Sequence, residues 1–199
     1  MIALIDYGVG NLYSVEKALN FVGGDVKLTN SAEDLQWAEK IILPGVGAFG
    51  DCMKNLEATG LIPTILKEVA KKKFFLGICV GLQILFEESE ESLNVKGLGI
   101  FKGKVKKISA GNLKIPHMGW NSVEIKNSKI FSSVKNNSYF YFVHSYHAAP
   151  FEKNLIVATT DYGEKITAAV EFENIFATQF HPEKSGDVGL QVLKNFVEL

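Results

Sequence analysis

The sequence predicts one α/β domain over residues 1–199, with a sheet that is parallel in the first half of the chain and gains antiparallel strands in the second. Up to residue 98, short apolar segments alternate with helical stripes, which is typical of strand–helix–strand units. After residue 98, most apolar segments are predicted strands. A chain of 199 residues is long enough to bury a sizeable core.

Two sets of apolar residues in the first half recur at helical spacing, and each set has a helix-end signal. A glycine pair follows the first set, and a proline lies in the first turn of the second. The first set is Leu12, Val15, Leu19 and Val22, and the second is Ile62, Ile65, Leu66 and Val69. Strands are predicted over residues 2–6, 26–28, 41–43 and 74–76.

The second half is predicted to be mostly strand and to end in a helix. The predicted strands cover residues 100–108, 122–125, 139–143, 155–160, 166–172 and 175–180. A last helical stripe runs through Val188, Val192, Leu193 and Phe196.

The composition excludes several classes of protein. A net charge of −1 argues against a dedicated nucleic-acid surface, and no apolar run is long enough to cross a bilayer. Two cysteines do not make a disulfide framework, and the N-terminus resembles a first strand more than a signal peptide, so we expect a cytoplasmic protein. All 21 basic residues are lysine, so an anionic substrate would need lysines, backbone amides or another subunit.

A thiol lies between a predicted strand and a predicted helix, in the run Gly77-Ile78-Cys79-Val80-Gly81. Flanking glycines remove the Cβ atoms that would clash in such a tight turn, as in a Gly-x-Ser-x-Gly nucleophile elbow. The helix is expected to continue to Phe86, and unpaired amides at its N-terminus favour the thiolate. We therefore predict that Cys79 is a nucleophile rather than a buried packing residue.

A base for this thiol is predicted at the end of another apolar strand, in Phe180-His181-Pro182-Glu183. Ligands bind at such strand ends in open α/β sheets. The Glu183 carboxylate is close enough in sequence to accept the Nδ1 proton of His181, which leaves Nε2 for the thiol. We predict a Cys79–His181–Glu183 triad.

Oxyanion donors are predicted from the backbone. One is the N–H of Val80, and the other comes from Val46 or Gly47 in Pro44-Gly45-Val46-Gly47. The second cysteine, Cys52, is predicted to be inert packing in a helix. The pair His144 and His147 lacks a third ligand nearby, so no metal site is predicted.

The elbow and the distant Phe-His-Pro-Glu resemble those of the class I (triad) glutamine amidotransferases. Further segments resemble the branch of this family that forms the glutaminase subunits of imidazole glycerol phosphate synthases, and they span nearly the whole chain. These segments are residues 5–12, 43–49, 116–121, 141–146 and 181–186. The resemblance implies a mixed, mainly parallel sheet flanked by helices, and glutamine hydrolysis without a metal or organic cofactor.

The resemblance also implies binding and partner residues. Glutamine would be held by Gln83, His144, Ser145 and Tyr146, partly through backbone groups. The partner would be a (β/α)8-barrel cyclase that receives ammonia and makes imidazole glycerol phosphate and aminoimidazole carboxamide ribotide, in a heterodimer without nucleic acid or membrane. The residues expected near that interface are Tyr7, Asn11, Trp120 and Tyr141.

Valine stands at position 46 where many triad amidotransferases have glycine. By resemblance, the peptide near Val46 can turn its carbonyl into the site and leave the oxyanion hole incomplete. We expect the isolated chain to be a poor glutaminase that the ligand-loaded partner activates.

Other functions stay open from the sequence. A paralogous subunit could feed ammonia to a barrel enzyme that makes an amidine on a surface sugar, and the active-site motifs do not separate this from the histidine pathway. Less favoured are the glutaminase of pyridoxal phosphate synthase, a cysteine hydrolase acting alone and an inactive binding subunit.

Overall fold

The computed structural model describes residues 1–199, which form a nine-stranded mixed sheet and a separate three-stranded sheet. The strands are β1 Ile2–Ile5, β2 Val26–Thr29, β3 Lys40–Gly45, β4 Phe74–Cys79, β5 Glu88–Ser89, β6 Gly103–Lys107, β7 His117–Ile125, β8 Ser138–His144, β9 Tyr146–Pro150, β10 Ile156–Asp161, β11 Lys165–Phe172 and β12 Ile175–Thr178. The helices are α1 Leu12–Phe21, α2 Ala32–Trp37, α3 Phe49–Ala58, α4 Ile62–Ala70, α5 Val80–Gln83 and α6 Gly186–Glu198.

The large sheet has the strand order β2-β1-β3-β4-β12-β11-β10-β7-β8. The pairs from β2 to β12 are parallel, and the pairs from β12 to β8 are antiparallel. The prediction of parallel strands first and antiparallel strands later is confirmed. Strands β1 and β3 are buried along their whole length, as expected of parallel strands that are covered on both faces.

The second sheet, in the order β5-β6-β9, was not predicted. Only one residue separates β8 from β9, although the two strands belong to different sheets. The sequence has no turn signal there that would show where the chain leaves one sheet and enters the other. Helix α2 also escaped prediction because it buries one residue, Leu35, and therefore has no apolar stripe. Strand β7 begins at His117, five residues before the predicted start.

Helix α5 is shorter than the sequence predicts, since it ends at Gln83 and does not reach Phe86. The carbonyl of Ile84 accepts a hydrogen bond from the Leu98 N–H at 2.7 Å, and that of Leu85 accepts one from the Phe101 N–H at 3.0 Å. These carbonyls are therefore used by a later segment of the chain instead of by a further helical turn.

No helix in the structure combines the length and the apolar character that crossing a membrane requires.

Candidate active site

Three neighbouring parallel strands bring the predicted catalytic groups to one edge of the sheet. In the register of β3 with β4, Gly45 pairs with Cys79, and in that of β12 with β4, Thr178 pairs with Ile78. The segment after β3 carries Val46 and Gly47, and the segment after β12 carries His181. Because parallel strands end on the same side, all these residues lie at the carboxyl edge, where ligands bind in open α/β sheets.

The elbow holds Cys79 in an unusual backbone conformation, with φ +56° and ψ −109°. A Cβ on Gly77 would lie 2.6 Å from the carbonyl oxygen of Gly81, and a Cβ on Gly81 would lie 1.9 Å from that of Leu43. Neither distance is possible for a real side chain. Both glycines are therefore required for the strand–turn–helix geometry that the sequence predicted. The strained backbone conformation of Cys79 is maintained by the packing around it.

The helix that follows Cys79 has four residues, so its dipole is smaller than the sequence reasoning assumed. Cys79 is its N-cap and is 4% exposed. Any activation of the sulfur must therefore come mainly from the side chains that face it.

His181 faces the elbow from the segment after β12 and is buried together with Glu183. Its Nδ1 lies 2.9 Å from Glu183 Oε1, so Nδ1–H donates to the carboxylate. No hydrogen bond of normal geometry joins His181 Nε2 to a protein atom, although Nε2 is buried. The side chains of His181 and Glu183 are thus in contact, and Nε2 is left available for proton exchange.

Opposing influences act on the pKa of His181. Burial lowers this pKa, whereas the nearby Cys79 sulfur and the Glu183 carboxylate raise it. The two raising effects together exceed the effect of burial, so the pKa of His181 is above its usual value. His181 therefore holds its proton at neutral pH when the sulfur is charged. An imidazolium in this position stabilises a thiolate and has a proton to give to a leaving amine.

The backbone of His181 is held by strand β8 through Ser185. The His181 N–H donates to the Tyr141 carbonyl at 3.0 Å, and the His181 carbonyl accepts from Ser185 Oγ at 2.7 Å. The same Oγ accepts from the Tyr141 N–H at 3.0 Å. Tyr141 and His181 are thus fixed relative to each other by three hydrogen bonds.

The segment after β3 packs tightly against the elbow. A Cβ on Gly45 would lie 2.8 Å from the Tyr7 hydroxyl and 2.9 Å from the Gly81 nitrogen. The Tyr7 hydroxyl donates to the Pro44 carbonyl at 2.6 Å. Tyr7, which the resemblance places near a partner, is 4% exposed here, so its side chain supports the site from the core.

Val46 lies beside the elbow with its carbonyl oxygen held by Cys52. The Cys52 thiol donates to this oxygen at 3.4 Å, and burial raises the pKa of Cys52 to about 11, so the thiol keeps its proton. Gly47 follows with φ +93°, a conformation that favours glycine. Cys52 was predicted to be inert packing, and it lies in a helix as predicted, but it also bonds the segment that we expected to supply an oxyanion donor.

Gln83 is buried near Cys79, one turn beyond the elbow. Its Nε2 donates to the Tyr146 carbonyl at 3.0 Å and to Gln179 Oε1 at 3.1 Å. Gln179 Nε2 in turn donates to Cys79 Sγ at 3.7 Å. The sequence reasoning missed Gln179. A signal was present, because this polar residue directly follows the strand Ile175–Thr178 and lies two positions before His181.

The two histidines considered as possible metal ligands, His144 and His147, each form a hydrogen bond to a different part of the backbone. His144 Nδ1 bonds the Tyr146 carbonyl at 2.8 Å, whereas His147 Nδ1 accepts from the Thr167 N–H at 3.3 Å. The structure contains no group of three or more His, Cys, Asp or Glu side chains arranged to hold a metal ion.

Of the other residues expected near a partner, Trp120 is 55% exposed, while Tyr141 and Asn11 are half-buried. The rings of Trp120 and Tyr141 are in edge-to-face contact with centroids 6.2 Å apart. These two aromatic residues form a continuous surface next to the segment that carries His181.

Comparisons with known proteins identify the family of the chain. The family model of class-I glutamine amidotransferases matches residues 3–199. The chain belongs to this family. The chain is 54% identical over 200 residues to the imidazole glycerol phosphate synthase subunit HisH of Methanocaldococcus jannaschii, with all of both chains covered. It is 47% identical to the protein of the same name from Bacillus subtilis, with 100% of this chain and 96% of that one covered.

Solved structures of lower identity share the fold. A crystal structure of a glutamine amidotransferase aligns with a TM-score of 0.78 at 17% identity, covering 100% of each chain. The PurLQS structure from Thermotoga maritima aligns with a TM-score of 0.76 at 20% identity, covering 99% of this chain and 97% of that one. The predicted amidotransferase fold, with a mixed sheet flanked by helices, is confirmed. The expectation that the sheet is mainly parallel is wrong, because four of its eight strand pairs are parallel and four are antiparallel.

Proposed function

We propose that this chain is the glutaminase subunit of an imidazole glycerol phosphate synthase and supplies ammonia for histidine biosynthesis. The observation that carries the proposal is the glycine-flanked Cys79 beside His181–Glu183, in a chain that is about half identical over its full length to subunits with that name. The sequence left open a paralogue that serves surface-sugar synthesis, and the relatives favour the histidine pathway over it. Residues 1–199 would form one domain of this type, and a cytoplasmic location remains part of the proposal.

The reaction begins when Cys79 gives its thiol proton to His181 Nε2 and its Sγ attacks the side-chain amide carbon of glutamine. A C–S bond forms, and the amide nitrogen takes a proton from His181 Nε2 as the C–N bond breaks, which releases ammonia. Water then adds to the glutamyl thioester as it gives a proton to the same Nε2. The C–S bond breaks, the leaving sulfur takes this proton from Nε2, glutamate leaves, and Cys79 returns to its starting state.

Glu183 keeps the His181 ring in the orientation that this sequence of steps needs. Its 2.9 Å contact with Nδ1 fixes the tautomer and favours the imidazolium that forms when Nε2 takes a proton. Ser185 holds the backbone of the same residue, so both the ring and the main chain of His181 are fixed.

The tetrahedral intermediate needs N–H donors for its oxyanion. The Val80 N–H directly follows the nucleophile, and the pairing of Gly45 with Cys79 puts Val46 and Gly47 beside it. The Val46 carbonyl is bonded to Cys52, so the peptide between Val46 and Gly47 is held in one orientation in the isolated chain. A partner that rearranges this peptide would switch the subunit on, and one missing donor costs on the order of 10²–10³ in rate.

Glutamine would be held at the corner between β8 and β9. The Tyr146 carbonyl accepts hydrogen bonds from both His144 and Gln83, so both lone pairs of its oxygen are used. Gln83 likewise gives both of its N–H groups to the protein. Recognition at this corner would therefore use the amide oxygen of Gln83 and the backbone of Ser145.

The partner would be a (β/α)8-barrel cyclase that docks on the face carrying Trp120 and Tyr141. Trp120 is 55% exposed, Met118 is 62% exposed, and the Lys184 ammonium lies 5.9 Å from the centre of the Tyr141 ring. Exposed aromatic side chains beside a cation are typical of interface centres. Contact at Tyr141 would act on a residue whose backbone holds His181.

The test is glutamate release from glutamine by the chain alone, with the cyclase, and with the cyclase and its nucleotide ligand. We expect strong stimulation only in the last case. Full activity of the isolated chain would contradict the activation step but not the chemistry. Absence of stimulation, with Cys79 still alkylated by a glutamine-analogue electrophile, would keep the glutaminase and reject this partner.

A further inference from the structure

A continuous series of hydrogen bonds runs from strand β7 to the Cys79 sulfur. Asn121 Nδ2 lies 3.2 Å from His117 Nε2, and His117 Nδ1 lies 2.9 Å from His144 Nε2. His144 and Gln83 meet on the Tyr146 carbonyl, and the series continues through Gln179 to the sulfur. We name this set the β7 relay; its members are Asn121, His117, His144, Gln83 and Gln179.

Backbone groups at fixed positions decide the direction of every bond in the first half of the β7 relay. Asn121 Oδ1 accepts from the Ser122 N–H, and Nδ2 donates to the Asp161 carbonyl, so it is Nδ2 that faces His117. His117 Nε2 must then be an acceptor and its Nδ1–H a donor to His144. His144 Nδ1–H donates to the Tyr146 carbonyl, so its Nε2 is the acceptor that His117 requires.

The Tyr146 carbonyl decides the direction of the second half. An oxygen accepts only, so Gln83 must present Nε2 to it, and the second N–H of the same group reaches Gln179 Oε1. Gln179 therefore presents Nε2, not Oε1, to Cys79. This amide is fully buried, which leaves no water to compete for its N–H.

The histidines of the β7 relay are held neutral and rigid. Burial lowers the pKa of His117 to about 4 and that of His144 to about 3, so both rings keep one acceptor nitrogen at neutral pH. The His117 ring is stacked between Phe142, with centroids 4.8 Å apart, and Tyr162, with centroids 4.1 Å apart. Neither ring is free to change partner without repacking.

We propose that Gln179 is a positioning residue that donates a hydrogen bond to the Cys79 sulfur. His117 and His144 hold the Tyr146 carbonyl in place, and this carbonyl orients Gln83 and, through it, Gln179. This inference rests on the proposed role of Cys79 as nucleophile. In the proposed mechanism negative charge develops on the sulfur when it gives up its proton to attack and again when the thioester breaks, so an N–H aimed at it serves both half-reactions. The β7 relay also connects the nucleophile to the strand that carries the exposed Trp120.

The first test replaces Gln179 in the assembled complex with its cyclase and ligand. Gln179→Glu keeps the shape but removes the N–H donor, and Gln179→Met removes both polar atoms. We expect kcat to fall about 10- to 100-fold, the effect of losing one hydrogen bond to a charged group, with little change in the KM for glutamine. A raised KM at unchanged kcat, or no effect in both variants, would overturn the proposal.

A second pair of variants separates hydrogen bonding from packing at His117, which is remote from the sulfur. His117→Phe keeps the ring between Phe142 and Tyr162 but removes both nitrogen atoms. His117→Asn loses the ring but keeps an N–H near the position of Nδ1. The proposal predicts that the phenylalanine variant loses kcat and that the asparagine variant recovers most of it; the opposite order would show that the ring only packs.

A measurement on the unmodified full chain does not depend on how the variants fold. Nitrogen-15 NMR of the imidazole rings distinguishes the two neutral tautomers, and the β7 relay requires Nδ1–H at both His117 and His144. Nε2–H at either residue would overturn it. Cys79→Ala in the activity assay separates the two proposals: glutaminase activity that survives this change rejects the nucleophile, whereas its loss with unaffected Gln179 variants rejects only the relay.

Discussion

Acid should destabilise this protein well above the pH at which carboxylates titrate, because three buried histidines must gain protons. Burial lowers the pKa of His117 to about 4, of His144 to about 3 and of His147 to about 4, against a usual value of 6.5. All three are at most 6% exposed, so solvent screens them little. The perturbation is a shift of pH from 6.5 to 5 with the protein otherwise unchanged.

The sign follows from proton binding. Between pH 6.5 and the lowered values, the unfolded chain binds protons on these histidines and the folded chain does not, so the free energy of unfolding falls as the pH falls. The contribution of each histidine to the free energy of unfolding falls by about 1.6 kcal/mol between pH 6.5 and 5, and that of the three together falls by about 5 kcal/mol. That is a large share of the roughly 5–15 kcal/mol that holds a domain folded.

Other titrating groups contribute little to this interval. His181 has a raised pKa, so its stabilising effect is complete below pH 6.5 and is lost only as the pH rises through the folded value. Some carboxylates, such as Glu68 and Glu90, have a pKa below its usual value of 4.5, so they affect stability mainly below pH 5. The interval therefore reports on the buried neutral histidines.

The assay is urea unfolding at pH 6.5 and at pH 5, with the free energy of unfolding extrapolated to water at each pH. His147→Asn is the matched variant, because its amide oxygen can still accept from the Thr167 N–H while the titrating ring is gone. The free energy of unfolding of this variant should fall by about 3 kcal/mol between pH 6.5 and 5, instead of by about 5 kcal/mol. Equal stability of the unaltered protein at the two pH values would refute the reasoning.

Three further outcomes are expected. Gly81→Ala should destabilise the fold by several kcal/mol or prevent folding, because its Cβ would lie 1.9 Å from a carbonyl oxygen; a soluble variant with unaltered melting temperature would contradict the elbow geometry. Glu183→Gln should lower the pKa of His181, whose raised value depends partly on that carboxylate, and an NMR titration that shows no downward movement would reject this role. Cys52→Ala should raise glutamate release by the isolated chain, by at most the roughly 10²–10³ that one oxyanion donor is worth, because the Val46 carbonyl loses its partner; an unchanged rate would separate Cys52 from the activation step.

The sequence was sufficient for the parts of the site that are formed locally. Glycines on both sides of Cys79 predict the tight turn because a Cβ at either position would collide with backbone. Glu183 is two residues from His181, so their contact needs only a short turn. The order of parallel and antiparallel strands was also predictable, since helices that alternate with strands imply crossover connections.

The sequence could not predict contacts between residues that are far apart in the chain. Gln179 meets Gln83 and Cys79 only because β12 pairs with β4, and their separations of 96 and 100 residues leave no periodic pattern. Tyr7 is expected near the partner interface by resemblance, and nothing in the sequence indicates that its hydroxyl donates to the Pro44 carbonyl, 37 residues away. The early end of α5 likewise depends on a later segment that takes over its carbonyls.

The most direct test of the account is synthesis by the assembled complex with Cys79→Ala in this subunit, measured once with glutamine and once with free ammonia as nitrogen source. We predict that glutamine-dependent synthesis is abolished and that ammonia-dependent synthesis by the cyclase is retained. Glutamine-dependent synthesis that survives the substitution would contradict Cys79 as the nucleophile and, with it, the mechanism drawn from the site.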